Sequence, residues 1–228
     1  IIKSHIFSPK VIELGSSFGL GALSVQFPEI AYSGINFSDA EFRNLAMNKP
    51  EKISYVGIDT VNQSNFDKKW LKACLLSGYL DMESKIDRLL SSTEVQSQKN
   101  EILFINNNIF NEQVLASVQK DKSDIIWSSS MMYIFGDKPK NAWDKIYSVA
   151  RRILKPNGWF ISADYEDWKN YDSESNTVMC TNLCDWDKHL VLCESKKSIN
   201  GAPKDACHYW ERGADWDEVI SSIQSRNK

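Results

Sequence analysis

The sequence predicts an α/β fold built on a mostly parallel β-sheet with helices on both faces. Two observations predict it. Short apolar runs alternate with amphipathic stretches from Val11 to Asp164, and strands separated by helices form parallel sheets covered on both sides. Near the start, the apolar pair Val11-Ile12 runs into Glu13-Leu14-Gly15-Ser16-Ser17-Phe18-Gly19-Leu20-Gly21 and then an amphipathic stretch, Ala22 to Phe27. A strand, a glycine-punctuated turn and a helix form the entry to a nucleotide site in such folds. Glycine lets the backbone turn tightly and approach a ligand, and the helix N-terminus offers N–H donors and partial positive charge.

In chain order, the first strand is expected over residues 11–14 and a helix over 19–27. A strand at 31–36, a helix at 39–47 and a strand at 53–59 follow. Helices are expected at 65–77 and 82–90, then a polar, aperiodic surface loop at 91–100. A strand at 102–106 leads to a helix at 112–118, and the buried run Ser123-Asp124-Ile125-Ile126-Trp127-Ser128 gives a strand at 124–128. A helix over 142–154 ends at Lys155-Pro156-Asn157-Gly158, because Pro and Gly stop helices, and a strand over 159–164 follows. No internal repeat is present. The chain of 228 residues, 42% hydrophobic and 25% charged, suffices for one core. We therefore expect residues 1–228 to form one domain, with helical insertions near 28–52 and 76–100.

Asp124-Ile125-Ile126 and Arg152-Ile153-Leu154-Lys155-Pro156-Asn157-Gly158, together with Glu13-x-Gly15-x-x-x-Gly19, carry a resemblance. In order and spacing they resemble the class I S-adenosylmethionine-dependent methyltransferases. That family reads E/D-x-G-x-G-x-G after its first strand, "DII" at its fourth and "r-x-L-K-P-x-G" before its fifth. The resemblance covers roughly residues 11–165 by the ordering logic of open α/β sheets. It implies a Rossmann-like sheet of seven strands, closed by an antiparallel hairpin formed from residues 189–193 and 207–210. It also implies S-adenosylmethionine as cofactor. Glu13, Gly15, Ser16, Ser17 and Gly19 would form the methionine side of its site, although Ser17 replaces the family's middle glycine.

The family places an acidic residue after the second strand, about twenty residues beyond the first motif, where a carboxylate accepts from both ribose hydroxyls. Asn36 has the right distance and Asp59 the right chemistry. We prefer Asp59, with Asn36 as the alternative. Asn108, in Asn106-Asn107-Asn108, matches the family's adenine-side residue, and its amide oxygen can accept from an adenine N–H. The alternative is that the three asparagines cap a strand and begin a turn. Ser128 would lie near the reacting methyl. Ser129, Tyr133, Asp164 and Tyr165 are acceptor-side candidates from the strand ends, and no catalytic residue is singled out.

Two other functions fit the same residues. Gly15-x-x-x-Gly19-x-Gly21 is also the spacing of short-chain NAD(P)-dependent oxidoreductases, which need Tyr-x-x-x-Lys for proton transfer; here Tyr147 is followed by Arg151. The Gly-to-Ser and Asp-to-Asn departures also suit a degenerate binding protein on the methyltransferase fold.

The net charge of −3 disfavours a nucleic-acid surface. An Asp-Pro-Pro-Tyr or Asn-Pro-Pro-Tyr signature after the fourth strand, used by methyltransferases of nucleic-acid bases, is absent. A small-molecule or protein methyl acceptor is expected, with no membrane partner, since no apolar run approaches the roughly 20 residues that span a bilayer. Five cysteines, an odd number, suit a reducing cytoplasm. Among Cys180, Cys184, Cys193, Cys207, His189 and His208, Cys180-x-x-x-Cys184 could supply one pair of zinc ligands, but no second Cys pair exists, and no metal is expected. Trp168, Tyr171, Trp186, Tyr209, Trp210 and Trp216 are expected mainly to pack the last strands against the sheet.

Overall fold

A computed structural model describes residues 9–16, 29, 36–37, 40–47, 53–60, 84, 87–88, 101–129, 139–165, 175–182, 185–197 and 208–225. Its hub is β1 (Lys10–Leu14), buried from Val11 to Leu14, as a strand covered on both faces must be. The two-residue β2 (Asn36–Phe37) and helix α1 (Ala40–Met47) come next in the chain. β3 (Ser54–Asp59) and β5 (Ser123–Ser129) flank β1, both parallel to it. β4 (Glu101–Asn106) joins β3, and β6 (Leu154–Tyr165) joins β5, again in parallel. The resulting order, β4-β3-β1-β5-β6, is the 3-2-1-4-5 order of a doubly wound sheet. It reverses between β1 and β5, and ligands of such sheets bind outside the C-terminal strand ends at that reversal.

The other half differs from the seven-stranded expectation. β7 (Ser175–Asn182), β8 (Asp185–Lys197) and β9 (His208–Arg212) add to β6 as an antiparallel meander, and β2 pairs in parallel with β9 at the far edge. The described sheet therefore has nine strands. β7 was missed because Ser-Asn-Thr-Val-Met-Cys-Thr-Asn is too polar to read as a strand; backbone pairing with β6 and β8 defines it. The last two strands are antiparallel, but they pair from Cys193↔Arg212 to Lys197↔His208, further along β8 than the expected 189–193, whose Leu190 and Val191 pair with β7 instead.

The sheet is covered on both faces, as expected. On one face Ile12, Leu14, Val56, Ile58, Ile126 and Phe160 pack under α2 (Glu112–Gln119) and α3 (Pro139–Ile153), through Leu115, Ile146 and Ile153 among others. On the other, Val11, Tyr55, Ile125, Trp159 and Leu192 meet Trp216 and Val219 of α4 (Trp216–Ser225). Alternate residues of each strand supply the two faces. The helices expected at 19–27 and 65–77, and the polar loop at 91–100, lie outside the described residues. Of the helix expected at 82–90, Ser84, Asp87 and Arg88 are helical.

Two of the sequence motifs build the N-terminal rim of the sheet. Asp124 accepts at Oδ2 from the Lys10 backbone N–H (3.0 Å) and at Oδ1 from Lys155 Nζ (2.9 Å), tying β1, β5 and β6 together. Ile153 and Leu154 are fully buried, and Arg152 grips Glu112 of α2 with two hydrogen bonds of 2.9 and 2.8 Å. Asn157 takes a left-handed φ of 67°. A Cβ at Gly158 would lie 2.9 Å from the Lys155 carbonyl oxygen and 3.1 Å from that of Asp124. These residues shape the entry into β6, at the end of the sheet opposite the crevice.

Candidate functional site

At the C-terminal end of β1 the chain turns through Gly15, whose φ of 70° lies in the left-handed region that glycine occupies without penalty. The Gly15 N–H donates to the Ile58 carbonyl (2.9 Å), and the Ser16 N–H donates to the same oxygen (3.4 Å). The turn is thereby fastened to the end of β3. Ser16 is buried and folds back over Gly57, where an added Cβ would lie 2.7 Å from Ser16 Oγ and 2.8 Å from Phe104 Cδ1. Gly57 thus makes room for the turn.

Glu13 stands beside this turn on the α4 face, in register with Gly57 of β3 and Trp127 of β5. It is 5% exposed, and its Oε2 has no hydrogen-bond partner. Burial, and secondarily the charge of Asp59, raises its pKa from 4.5 to about 8. A lone carboxyl is costly to bury in this way, which marks it as a candidate for ligand contact. Ser16 Oγ and Trp127 Nε1 are also buried without a partner, as is the Tyr55 hydroxyl, from two residues before Gly57 in β3.

Asp59 ends β3, half-buried, two residues beyond Gly57, and its carbonyl accepts from the Asn107 N–H (2.8 Å). Asn36 instead lies in β2, at the edge of the sheet away from β1. The sheet order therefore brings Asp59 to the Gly15 turn and takes Asn36 away from it. Asn108 follows β4 and organises a turn. Its side-chain oxygen accepts from the Phe110 N–H (2.9 Å), and its carbonyl accepts from the Asn111 N–H (2.9 Å). Asn111 in turn caps α2 by accepting from the Gln113 N–H (2.9 Å). The capping alternative is thus realised locally, with one lone pair and the amide N–H groups of Asn108 left for other partners.

Ser128 is 1% exposed, with an unpartnered Oγ, but it registers with Leu14 and Ser162. By the two-residue period of a strand it faces the α2–α3 layer, opposite to Glu13. The structure thus groups Glu13, Gly15, Ser16 and Asp59, and sets Ser128 across the sheet. Ser17, Gly19 and Tyr133 lie outside the described residues. Ser129, Asp164 and Tyr165 occupy the C-terminal ends of β5 and β6.

Sequence reasoning missed Trp127 and Gly57. The signal for Trp127 was present: an indole one residue beyond Asp-Ile-Ile, at the register position of Glu13. Tyr147, the residue an oxidoreductase would need, packs instead against the core, edge-on to Phe160 with ring centroids 5.3 Å apart. Cys193 packs beside the α4-face core, while Cys184 and Cys207 lie outside the described residues. Trp216 is core as expected, with the Arg212 guanidinium 5.3 Å from its ring centroid. Among the described residues no helix is long and apolar enough to cross a membrane.

No protein-family model matches the sequence, and no curated protein matches it. Among solved structures the chain is similar to an O-methyltransferase family protein from Burkholderia thailandensis, with TM-score 0.38 and 8% identity over 72% of this chain and 35% of that one. It is also similar to the rRNA methyltransferase aviRa from Streptomyces viridochromogenes, with TM-score 0.43 and 8% identity over 81% and 80% of the two chains. A third is E. coli MccB, with TM-score 0.37 and 19% identity over 96% and 48%. The chain thus spans about a third of the first structure's length and about half of the third's. The strand order decides the fold. The parallel core is Rossmann-like. Methyltransferases stand among the structures it resembles.

Proposed function

We propose that the chain is an S-adenosylmethionine-dependent methyltransferase. The observation that carries this reading is the buried, unpartnered carboxyl of Glu13 beside the left-handed Gly15 turn, at the reversal point of a doubly wound sheet. The residues present fit the cofactor. An ammonium group gives the Glu13 carboxyl the partner it lacks and favours its ionised form. Asp59, at the end of the neighbouring strand, is placed to accept from two ribose hydroxyls. The Gly15-Ser16 turn holds the methionine side, with Ser17 and Gly19 next in the sequence as further candidates, and Asn108 offers its remaining polar capacity to the adenine edge.

When bound, S-adenosylmethionine supplies a methyl group already activated on a sulfonium. The work left to the protein is to orient the reactants and exclude water. Glu13 is buried and gives up its proton to solvent as the cationic group arrives. The acceptor is a small molecule or a protein, entering from the ends of β5 and β6. A net charge of −3 does not favour a phosphate backbone as partner.

Thermal denaturation in the presence of S-adenosylhomocysteine, NADH or NADPH separates the readings, because a ligand that binds only the folded state raises its melting temperature. Stabilisation by S-adenosylhomocysteine alone is expected. Stabilisation by a dinucleotide alone would mean an oxidoreductase, and by none a degenerate site.

A further inference from the structure

Glu13, Gly57 and Phe104 stand in register across β1, β3 and β4, on the α4 face. Gly57 has no side chain, so β3 leaves a gap in that row. Ser16 folds back into the gap from the turn, and the Phe104 ring leans into it from the edge strand. A Cβ at Gly57 would meet Ser16 Oγ at 2.7 Å and Phe104 Cδ1 at 2.8 Å. The buried Tyr55 braces Phe104 edge-on, with ring centroids 6.3 Å apart and planes at 69°.

Hydrogen bonds do little to fasten Ser16. Its hydroxyl finds no partner among the described residues. Its N–H makes a long 3.4 Å bond to the Ile58 carbonyl, an oxygen that already accepts from Gly15 at 2.9 Å, and bonds of that length are weak. Ser16 is nevertheless buried. Packing therefore holds it, and packing is short-ranged: a gap of about 1 Å forfeits much of the attraction. Phe104 supplies that packing although it is itself 38% exposed. Its exposed neighbour Leu103 points to the opposite face and has no part in it.

We propose that Phe104 is a positioning residue, its δ carbon over Gly57 keeping Ser16, and with it the Gly15-Ser16 turn, in the shape that receives the cofactor. The binding half of this rests on the cofactor reading above. Phe104 acts through Ser16 and needs no contact with the ligand.

Hydrogen exchange of the ligand-free chain and calorimetric titration with S-adenosylhomocysteine test this on Phe104→Val and Phe104→Leu. Both lose the ring and its contact with Tyr55, but only leucine keeps a carbon at the δ position. Phe104→Val is expected to speed exchange at the Gly15 and Ser16 amides about tenfold relative to those of Ile125 and Ile126 in β5, and to weaken S-adenosylhomocysteine about tenfold. Phe104→Leu is expected to restore both, and Leu103→Val to change neither. Unchanged exchange at the turn, an equal rise at Ile125 and Ile126, or unchanged binding by Phe104→Val would overturn the proposal and leave the cofactor reading intact. Failure of the wild-type chain to bind would instead sink the cofactor reading, and exchange at the turn would then decide alone whether Phe104 holds it. Valine suits a strand; if circular dichroism shows Phe104→Val unfolded, Phe104→Ala decides.

Discussion

Glu13 is the residue on which the account turns, and its protonation gives it a measurable signature. In the unfolded chain a glutamate ionises near 4.5, whereas in the fold burial holds Glu13 protonated up to about 8. The ligand-free fold therefore loses stability from this group as pH rises from 4.5 to 8, and the loss is complete above 8. Glu13→Gln removes the titration. By urea denaturation the variant should match the wild type near pH 4.5 and exceed it at pH 8, by as much as about 4 kcal/mol at roughly 1.4 kcal/mol per unit. Equal stabilities at pH 8 would mean that the carboxyl is solvated. Gly57→Ala tests the neighbouring contact: its Cβ would press on Ser16 Oγ and Phe104. We expect a loss of about 1–3 kcal/mol and weaker binding of S-adenosylhomocysteine, with undiminished binding as the contrary result. At this scale the sequence pointed to Glu13, Gly15 and Asp59, which the fold brings to neighbouring strand ends, because acidic and glycine residues after apolar runs advertise themselves. It did not show that Ser128 faces away from Glu13, because facing depends on register. Nor did it show that Asn108 spends a lone pair on its own turn.

Elements join at places where backbones nearly touch, and these joints are hard to read from sequence. Gly213, between β9 and α4, donates to the Leu192 carbonyl (2.9 Å), and Asp215 Oδ2 accepts from the Val191 N–H (2.8 Å). A Cβ at Gly213 would collide with the Val191 carbonyl oxygen. Backbone cannot yield as a side-chain tip does, so Gly213→Ala should cost about 3 kcal/mol and speed hydrogen exchange in β8. Unchanged exchange there would refute the joint. Arg152→Ala, by contrast, removes only an exposed ion pair and should leave the denaturation midpoint nearly unmoved. The parallel strands were legible as buried apolar runs. Helix α3 begins earlier than expected, because Pro139 serves as its first residue, where a missing N–H costs nothing. Strand β7 was illegible because only its partners make it a strand.

Over the whole molecule, β1, β3, β5 and β6 contribute to both cores, one under α2 and α3 and the other under α4. Neither core can dissolve while the other persists, so unfolding should be a single transition. Fluorescence of the eight tryptophans, Trp159 and Trp216 of the α4 face among them, and far-ultraviolet circular dichroism should give coincident urea curves. Phe160→Ala should shift both together, by about 3–5 kcal/mol, and separated curves would show two independent units. That the core is parallel was legible because strands alternating with helices pair through crossovers; its strand order is a finding of the structure. The antiparallel meander was not legible, since nothing in its composition sets the number of strands. That order is also what brings Asp59, far along the chain from Glu13, to the Gly15 turn. Equilibrium binding of S-adenosylhomocysteine to the wild-type chain and to Asp59→Ala tests this most directly. Micromolar binding is expected, weakened at least about tenfold by the substitution. Binding that Asp59→Ala leaves untouched, or no binding to the wild type, would contradict it.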